Sequence, residues 1–301
     1  NGVWVSGFFG SGKSHLLKIL SFVLDRESSK LSIGGQNLSD LFLEKCGENG
    51  ILRADLRKAL SVPSRSILFN IDQKADVISK KDVDALLAVF AKVFDEFCGY
   101  YGKQGYIAQF ERDLDGRGQL EAFREAYKTQ AKKPWERGRE EAILEGPNIA
   151  KAYAQVVGGD AAEAKGILDK YRTQYKLSIE DFADRVMAYI QAQPDPGFRL
   201  NFYVDEVGQY VADNTKLMTN LQTLAESLST RCNGRAWILV TAQEDMATVV
   251  GHMDKQQGND FSKIQARFAT RLKLTSTNVD EVIQKRLLLK NETGISLLEG
   301  M

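Results

Sequence analysis

The sequence predicts an α/β protein built on a five-stranded parallel sheet with helices on both faces. Short apolar segments alternate along the chain with stretches whose apolar residues recur at helical spacing. A glycine-rich loop separates the first apolar segment, Val3–Ser6, from the first helical stretch, and a later apolar segment ends in the adjacent carboxylates Asp205 and Glu206. This order of elements is typical of a doubly wound sheet.

Composition narrows the class of protein. Of the 301 residues, 43% are hydrophobic and 27% charged, as in ordinary globular proteins. No segment approaches the roughly 18 apolar residues of a membrane span, and Lys plus Arg equals Asp plus Glu at 40 each, so no overall charge indicates nucleic acid. Three widely spaced cysteines favour a reducing compartment and no metal site. We therefore expect a cytoplasmic protein without membrane contact and, because the chain opens directly on a strand, a fragment of a larger one.

The loop after the first strand fits a phosphate-binding pattern. It reads Gly7-Phe8-Phe9-Gly10-Ser11-Gly12-Lys13-Ser14 and matches G-x-x-x-x-G-K-[ST]. The glycines let successive N–H groups point at one anion, and the positive end of the next helix adds to the attraction. Lys13 is expected to reach the β- and γ-phosphates and Ser14 to bind Mg²⁺. A chance glycine turn is the alternative, but the strand and helix in register favour a nucleotide site.

The predicted ligand is ATP with Mg²⁺, because the chain lacks the Asn-Lys-x-Asp motif that recognises guanine. The expected nucleotide-binding residues are Gly7, Gly10, Ser11, Gly12, Lys13, Ser14 and His15. For His15 we expect packing or capping near the loop, with a nucleobase contact as the alternative. Phe8 and Phe9 are expected to cover the loop rather than to stack on a base.

The remaining elements divide the chain into a split core and an insertion. Further strands are expected at 66–71, 199–206, 236–241 and 271–274, and core helices at 12–24, 38–46, 51–60, 214–231, 261–267 and 278–289. Residues 80–194 show helical spacing alone, at 83–97, 120–127, 149–157, 161–171 and 179–190, with a capping box formed by Ser178 and Asp181. The sequence therefore predicts a core of residues 1–79 and 195–301 with a helical insertion, 80–194, between strands two and three.

Asp205 and Glu206 carry the second chemical signal. In a protein that binds nucleotide through such a loop, a carboxylate at the end of a buried strand completes the Mg²⁺ shell, so Asp205 is the expected metal ligand together with Ser14. Glu206 is placed to deprotonate the water that attacks the γ-phosphate. Simple solvation of a strand end is the alternative for such a pair, but the phosphate loop favours catalysis.

Two later segments resemble the additional-strand class of P-loop NTPases, the AAA+ proteins and their relatives, whose sheet order is 5-1-4-3-2. At the end of strand four, Thr241 and Gln243 both match the place of a γ-phosphate sensor, with helix capping or a loop position as the alternative. Before strand five, Arg267, and secondarily Arg271, resembles an arginine finger that enters a neighbouring subunit's ATP site. The alternative is a surface salt bridge. The resemblance implies a homo-oligomer with a shared site.

Three stretches resemble one family more closely: the large P-loop ATPase of bacterial BREX phage-defence systems, of the BrxC or PglY type. They are residues 2–15, Ile67-Leu68-Phe69-Asn70-Ile71-Asp72 and Phe202-Tyr203-Val204-Asp205-Glu206-Val207-Gly208. The resemblance implies an ATPase that drives assembly or remodelling of a complex that methylates host DNA and blocks phage replication. It implies a DNA methyltransferase and other system proteins as partners, with DNA contacted through the complex.

Other functions remain open at this stage. A signalling switch of the STAND kind would use slow hydrolysis only to reset its nucleotide state, and an initiator-like loader would need a DNA-binding module. A small-molecule kinase is disfavoured by the Asp-Glu pair and by the lack of an arginine-rich lid. The charged segment 124–141 is expected to be a solvated face, with a DNA-contacting patch as the alternative.

Overall fold

The computed structural model describes residues 2–75, 85–211, 214–243 and 267–275. The strands are β1 (Gly2–Gly7), β2 (Ser32–Ile33), β3 (Gln36–Asn37), β4 (Ser64–Asn70), β5 (Arg199–Asp205), β6 (Ala236–Ala242) and β7 (Thr270–Leu274). The helices are α1 (Lys13–Val23), α2 (Leu38–Lys45), α3 (Gly50–Leu60), α4 (Ile71–Ala75), α5 (Ala85–Phe97), α6 (Gly105–Gly116), α7 (Leu120–Ala131), α8 (Trp135–Gly138), α9 (Gly146–Val157), α10 (Ile167–Gln174), α11 (Ile179–Gln191), α12 (Val207–Val211) and α13 (Thr215–Arg231).

Five of these strands form one parallel sheet in the order β4-β5-β6-β1-β7. The short strands β2 and β3 form a separate antiparallel hairpin, so the element numbers across the large sheet read 4-5-6-1-7. Counted along the chain without the hairpin, the five strands lie in the order 5-1-4-3-2 when read from β7. This is the order expected from the sequence.

Apolar side chains cover both faces of the sheet, which explains the continuous apolar character of its strands. Because neighbouring residues of a strand point to opposite faces, Val3 and Val5 join Leu17 of α1 in one core cluster, while Trp4 joins the cluster on the other face. That second, larger cluster also takes in Phe202 and side chains of α5, α11 and α13. The sheet is therefore enclosed between α1 and these three helices, except at its edge strand β7, which is largely exposed.

Between β4 and β5 the described residues form helices, and they divide into two groups. Helices α5 and α11 belong to the core of the sheet through residues such as Phe90 and Phe182. Helices α6 to α10 enclose a core of their own, in which Phe110, Phe123 and Trp135 pack with ring centroids 5.1 to 6.2 Å apart. The helical segment is thus joined to the sheet through its first and last helices.

Several local predictions can be checked against these elements. The capping box is present: Ser178 Oγ accepts from the Asp181 N–H, and the Asp181 carboxylate accepts from the Ser178 N–H. The helix expected at 161–171 is wrong at its start, because Gly166 is left-handed, with φ 74°, and α10 begins only after it. Helix α6 and the hairpin were not predicted. The helices expected at 261–267 and 278–289 lie outside the described residues, apart from Arg267.

None of the described helices combines the length and the apolar character that a membrane crossing requires.

Candidate functional site

The carboxyl ends of four neighbouring strands meet at one edge of the sheet. The glycine-rich loop follows β1 at this edge, and β5 ends there in Asp205. Asn70 is the last residue of β4 and lies in register beside Asp205, while Ala242 ends β6 in register with Ser6 of β1. This edge is where open α/β sheets bind their ligands.

The loop takes the backbone conformation that its glycines allow. Gly10 and Gly12 have φ 81° and 89°, a left-handed region that residues with a Cβ rarely adopt. Gly12 caps α1 and, as a glycine, supplies no side chain that could bond to this end of the helix. The first N–H groups of α1 therefore remain directed toward the edge of the sheet, as in helix termini that bind anions.

Lys13 lies inside this loop. Its side chain is buried, and Nζ donates to the carbonyl oxygens of Gly7 and Phe8 at 2.7 and 2.9 Å. Burial lowers the pKa of Lys13, and the nearby carboxylates of Asp205 and Glu206 oppose that shift. A cation is thus held at the centre of the loop, close to two carboxylates.

Thr241 connects β6 to both carboxylate residues. Its hydroxyl donates to Asp205 Oδ1 at 2.5 Å and accepts from the Glu206 N–H at 2.8 Å. The side chain is buried at 1% exposure, so the hydroxyl is used within the protein. Thr241 therefore positions Asp205 in this structure, whereas the exposed Gln243 lies at the cleft and is the freer of the two sensor candidates.

Glu206 has an unusual backbone and a partner that the sequence analysis missed. Its φ is 63°, a left-handed conformation that costs a non-glycine residue about 1 kcal/mol. Its Oε2 accepts a hydrogen bond from Asn70 Nδ2 at 2.6 Å. The predicted strand order contained the signal for this contact, since it places the ends of strands two and three side by side.

The predicted nucleotide and catalytic residues largely share one cleft of about 330 Å³. Those that line it are Gly10, Gly12, Lys13, Ser14, His15, Asp205, Glu206, Thr241 and Gln243. Phe9 also lines it and is 86% exposed, so it does not cover the loop as expected. Gly7 contributes the carbonyl that holds Lys13, and the loop residue Ser11 donates its N–H to the Phe8 carbonyl at 3.2 Å.

Gln209 is a further lining residue that the sequence analysis did not single out. It lies on α12, the short helix that follows Glu206. This helix approaches β6 closely at Gly208, where an added Cβ would stand 2.3 Å from the Cβ of Ala242. Glycine at this position thus allows α12 to bring Gln209 over the cleft.

The two arginine candidates lie away from this cleft. Arg267 precedes β7 by three residues and so belongs to the amino-terminal edge of the parallel sheet, where it pairs with Glu226 of α13. Arg271 lies within β7 and donates to the Phe268 carbonyl at 3.1 Å. Neither arginine reaches the site of its own chain.

Three basic residues of the charged segment 124–141 form ion pairs with acidic neighbours. The ion pairs are Arg124–Glu121, Arg124–Glu136, Lys133–Glu141, Lys133–Glu145 and Arg139–Glu111. This pairing favours a solvated charged face over a patch that contacts DNA.

Among the described residues, no group of three or more His, Cys, Asp or Glu side chains is arranged to hold a metal ion. A cation at the cleft would therefore depend on Ser14, Asp205 and the oxygens of a ligand. Neither a protein-family model nor a solved structure matches this chain.

Proposed function

We propose that this chain binds ATP together with Mg²⁺ at the cleft beside β1 and β5 and hydrolyses its γ-phosphate. The observation that carries the proposal is that Lys13, Asp205 and Glu206 line one cleft at the amino-terminal end of α1. A buried lysine in a glycine loop suits a polyphosphate, and two adjacent carboxylates suit a metal ligand and a base.

Phosphate binding would use donors that the protein already directs toward the cleft. Lys13 now donates to the carbonyl oxygens of Gly7 and Phe8, and phosphate oxygens would replace these as stronger, charged acceptors. The N–H groups of the loop and of the first turn of α1 would bind the remaining phosphate oxygens. Positive charge from the lysine and the helix end favours a polyanion over a neutral ligand.

The residues present fit Mg²⁺, which proteins usually hold by one or two carboxylates with water and substrate phosphates. Ser14 is exposed in the first turn of α1, and Asp205 keeps its carboxylate fixed through Thr241. Both residues line the cleft. When bound, Mg²⁺ supplies charge neutralisation at the β- and γ-phosphates.

Glu206 is the proposed general base. It would accept a proton from a water whose oxygen bonds to the γ-phosphorus, while the bond from that phosphorus to the bridging oxygen breaks. Its carboxylate is exposed at the cleft and hydrogen-bonded to Asn70. Asn70 contacts Glu206 and is not among the residues that line the cleft, so it would affect the reaction only through Glu206.

The same hydrogen bond favours one second candidate, a nucleotide-dependent switch with slow turnover. While Asn70 Nδ2 holds Glu206 Oε2, that oxygen is engaged with the protein rather than with water. Hydrolysis would then be slow until the contact changes. The two candidates share the binding site and differ in the rate of the chemical step.

The cellular role that we propose rests on the sequence resemblance alone. The stretches 2–15, 67–72 and 202–208 resemble the BREX phage-defence ATPase. On this proposal the protein works as a homo-oligomer in an anti-phage complex with a DNA methyltransferase. Arg267 would then leave Glu226 to reach a neighbouring subunit's site.

The test is equilibrium binding of ATP with and without Mg²⁺, followed by steady-state hydrolysis over a range of protein concentrations. Lys13→Ala should lower ATP affinity by at least about tenfold, because it removes a charge-assisted contact. Lys170→Ala, an exposed lysine of α10, is the matched control and should bind like the parent.

If the site is shared between subunits, the rate per chain rises with protein concentration and Arg267→Ala abolishes that rise. Equal ATP affinity in the parent and in Lys13→Ala would contradict the phosphate site. Tight binding without turnover at any concentration would favour the switch.

A further inference from the structure

A second cavity, of about 430 Å³, opens directly beside the phosphate-binding cleft. Its walls are α1 and α2, and it lies within the size range of pockets that take small molecules. His15, the residue after Ser14, lines both cavities. The two spaces are therefore neighbours at the start of α1.

Each helix presents one face to this cavity. On α1 the lining positions follow helical spacing, i, i+3, i+4 and i+7: His15, Lys18, Ile19 and Phe22. On α2 the same spacing recurs: Leu38, Leu41, Phe42 and Lys45. The interior is thus apolar and partly aromatic, and two lysines contribute positive charge to its lining.

Helix α2, which forms one wall of the cavity, buries little of its side-chain surface against the rest of the protein. Helices α2 and α3 and the hairpin of β2 and β3 contain no buried side chain. Leu41 and Phe42 remain half-buried at the cavity, and Phe22 of α1 is 39% exposed. These apolar side chains keep part of their surface exposed, and a flat aromatic ligand in the cavity would bury that surface.

We propose that this cavity binds the nucleoside of the nucleotide whose phosphates lie on the glycine loop, with the base packed against Phe22 and Phe42. The inference rests on the proposed function. The third residue of α1, His15, then stands between the phosphates and the nucleoside. The face from His15 to Phe22 extends for about 10 Å along the helix, which suits a nucleoside continuing from the phosphate chain.

The charge of the lining favours this ligand over a neutral apolar one. Lys18 and Lys45 lie at the i+3 and i+7 positions of their faces, and their positive charge suits a ligand whose anionic phosphates lie in the neighbouring cleft. A neutral apolar ligand would fill the interior without any use for these charges.

The first experiment compares ATP with inorganic tripolyphosphate, which has the phosphates and no nucleoside. The parent should bind ATP about tenfold or more tightly than tripolyphosphate, because a stacked base contributes substantially to binding. Phe42→Ala should lose most of this difference and keep its affinity for tripolyphosphate. Leu43→Ala, the neighbouring position on α2 that does not line the cavity, is the matched control.

A second measurement needs no variant and therefore does not depend on how Phe42→Ala folds. Amide hydrogen exchange in α2 should slow when the parent is saturated with ATP and should be unchanged with tripolyphosphate. If the parent binds both ligands equally and α2 exchanges at the same rate with each, the nucleoside site is wrong while the phosphate site stands. If neither ligand binds, the proposed function fails and this inference fails with it.

Discussion

Asn70 and Glu206 lie 136 residues apart in the chain, yet Asn70 Nδ2 donates a 2.6 Å hydrogen bond to Glu206 Oε2. The contact forms because β4 and β5 are neighbouring parallel strands and Asn70 is in register with Asp205. The hydrogen bond thus reaches the carboxylate of the proposed base and not its backbone. We therefore expect the Asn70 side chain to affect the chemical step more than nucleotide binding.

Asn70→Ala should raise kcat for ATP hydrolysis several-fold and leave KM unchanged, because it frees one oxygen of Glu206 and does not alter the phosphate loop. Steady-state kinetics at saturating Mg²⁺ would measure the two constants separately. A fall in kcat toward that of Glu206→Gln would mean that Asn70 instead holds the base in its reactive position. A change in KM alone would contradict any role through Glu206.

Thr241→Val should raise the Mg²⁺ concentration needed for half-maximal hydrolysis, since Asp205 loses the hydroxyl that orients it. The Glu206 N–H also loses its 2.8 Å acceptor, so the free energy of unfolding should fall by about 1–2 kcal/mol. Thr241→Ser, which keeps the hydroxyl, should resemble the parent in both measurements. A valine variant with the parent's Mg²⁺ dependence would contradict the positioning role.

Backbone strain at Glu206 predicts a difference between two inactive variants. Both Glu206→Gly and Glu206→Ala lose the carboxylate and the bond to Asn70. Only glycine adopts φ 63° without steric cost, so Glu206→Gly should be the more stable by about 1 kcal/mol. Chemical denaturation of the two variants side by side measures this difference. Equal stability, or a more stable alanine variant, would show that the position is not strained.

In the helical segment, Glu145 accepts hydrogen bonds from Tyr127 Oη at 2.7 Å and Asn148 Nδ2 at 2.9 Å and pairs with Lys133 at 2.8 Å. Burial alone would raise the pKa of Glu145, but the bonds from Asn148, Lys133 and Tyr127 together lower it to about 2. The stabilisation from a depressed pKa is complete above the unfolded pKa of about 4.3 and is lost as pH falls toward 2.

Glu145→Gln should therefore lower Tm at pH 6, and the difference from the parent should shrink as pH falls below about 4. Thermal unfolding followed by circular dichroism at several pH values would measure it. Glu163→Gln, at an exposed position beyond α9, is the control and should show no such pattern. A Tm difference independent of pH would exclude the ionised carboxylate as its source.

The core of the fold was predictable because each element has a local cause. The apolar strands, the glycine loop and the helix at 214–231 are visible in the sequence, and the structure adds that Asn214 caps α13, its Oδ1 accepting from the N–H groups of Lys216 and Leu217. The start of α10 was not predictable, because the alanine-rich residues before Gly166 continue the helical spacing that Gly166 interrupts. Local spacing does not reveal where one left-handed residue ends a turn.

The sequence predicted which residues form the candidate site, but it predicted few of the contacts between them. Lys13, Asp205 and Glu206 follow from motifs, whereas the roles of Asn70 and Thr241 depend on the register between strands. Thr241 was one of two candidates for a phosphate sensor, and the structure adds that its hydroxyl bonds to Asp205. Such contacts join residues far apart in the chain, and no spacing within one segment encodes them.

The most direct test of the proposed ATP hydrolysis is a single-turnover experiment with the parent and Glu206→Gln, each in excess over radiolabelled ATP with Mg²⁺. We predict that both bind ATP with similar affinity, that the parent converts it to ADP and phosphate, and that Glu206→Gln leaves it intact. Hydrolysis by Glu206→Gln at the parent's rate, or no ATP binding by the parent, would contradict it.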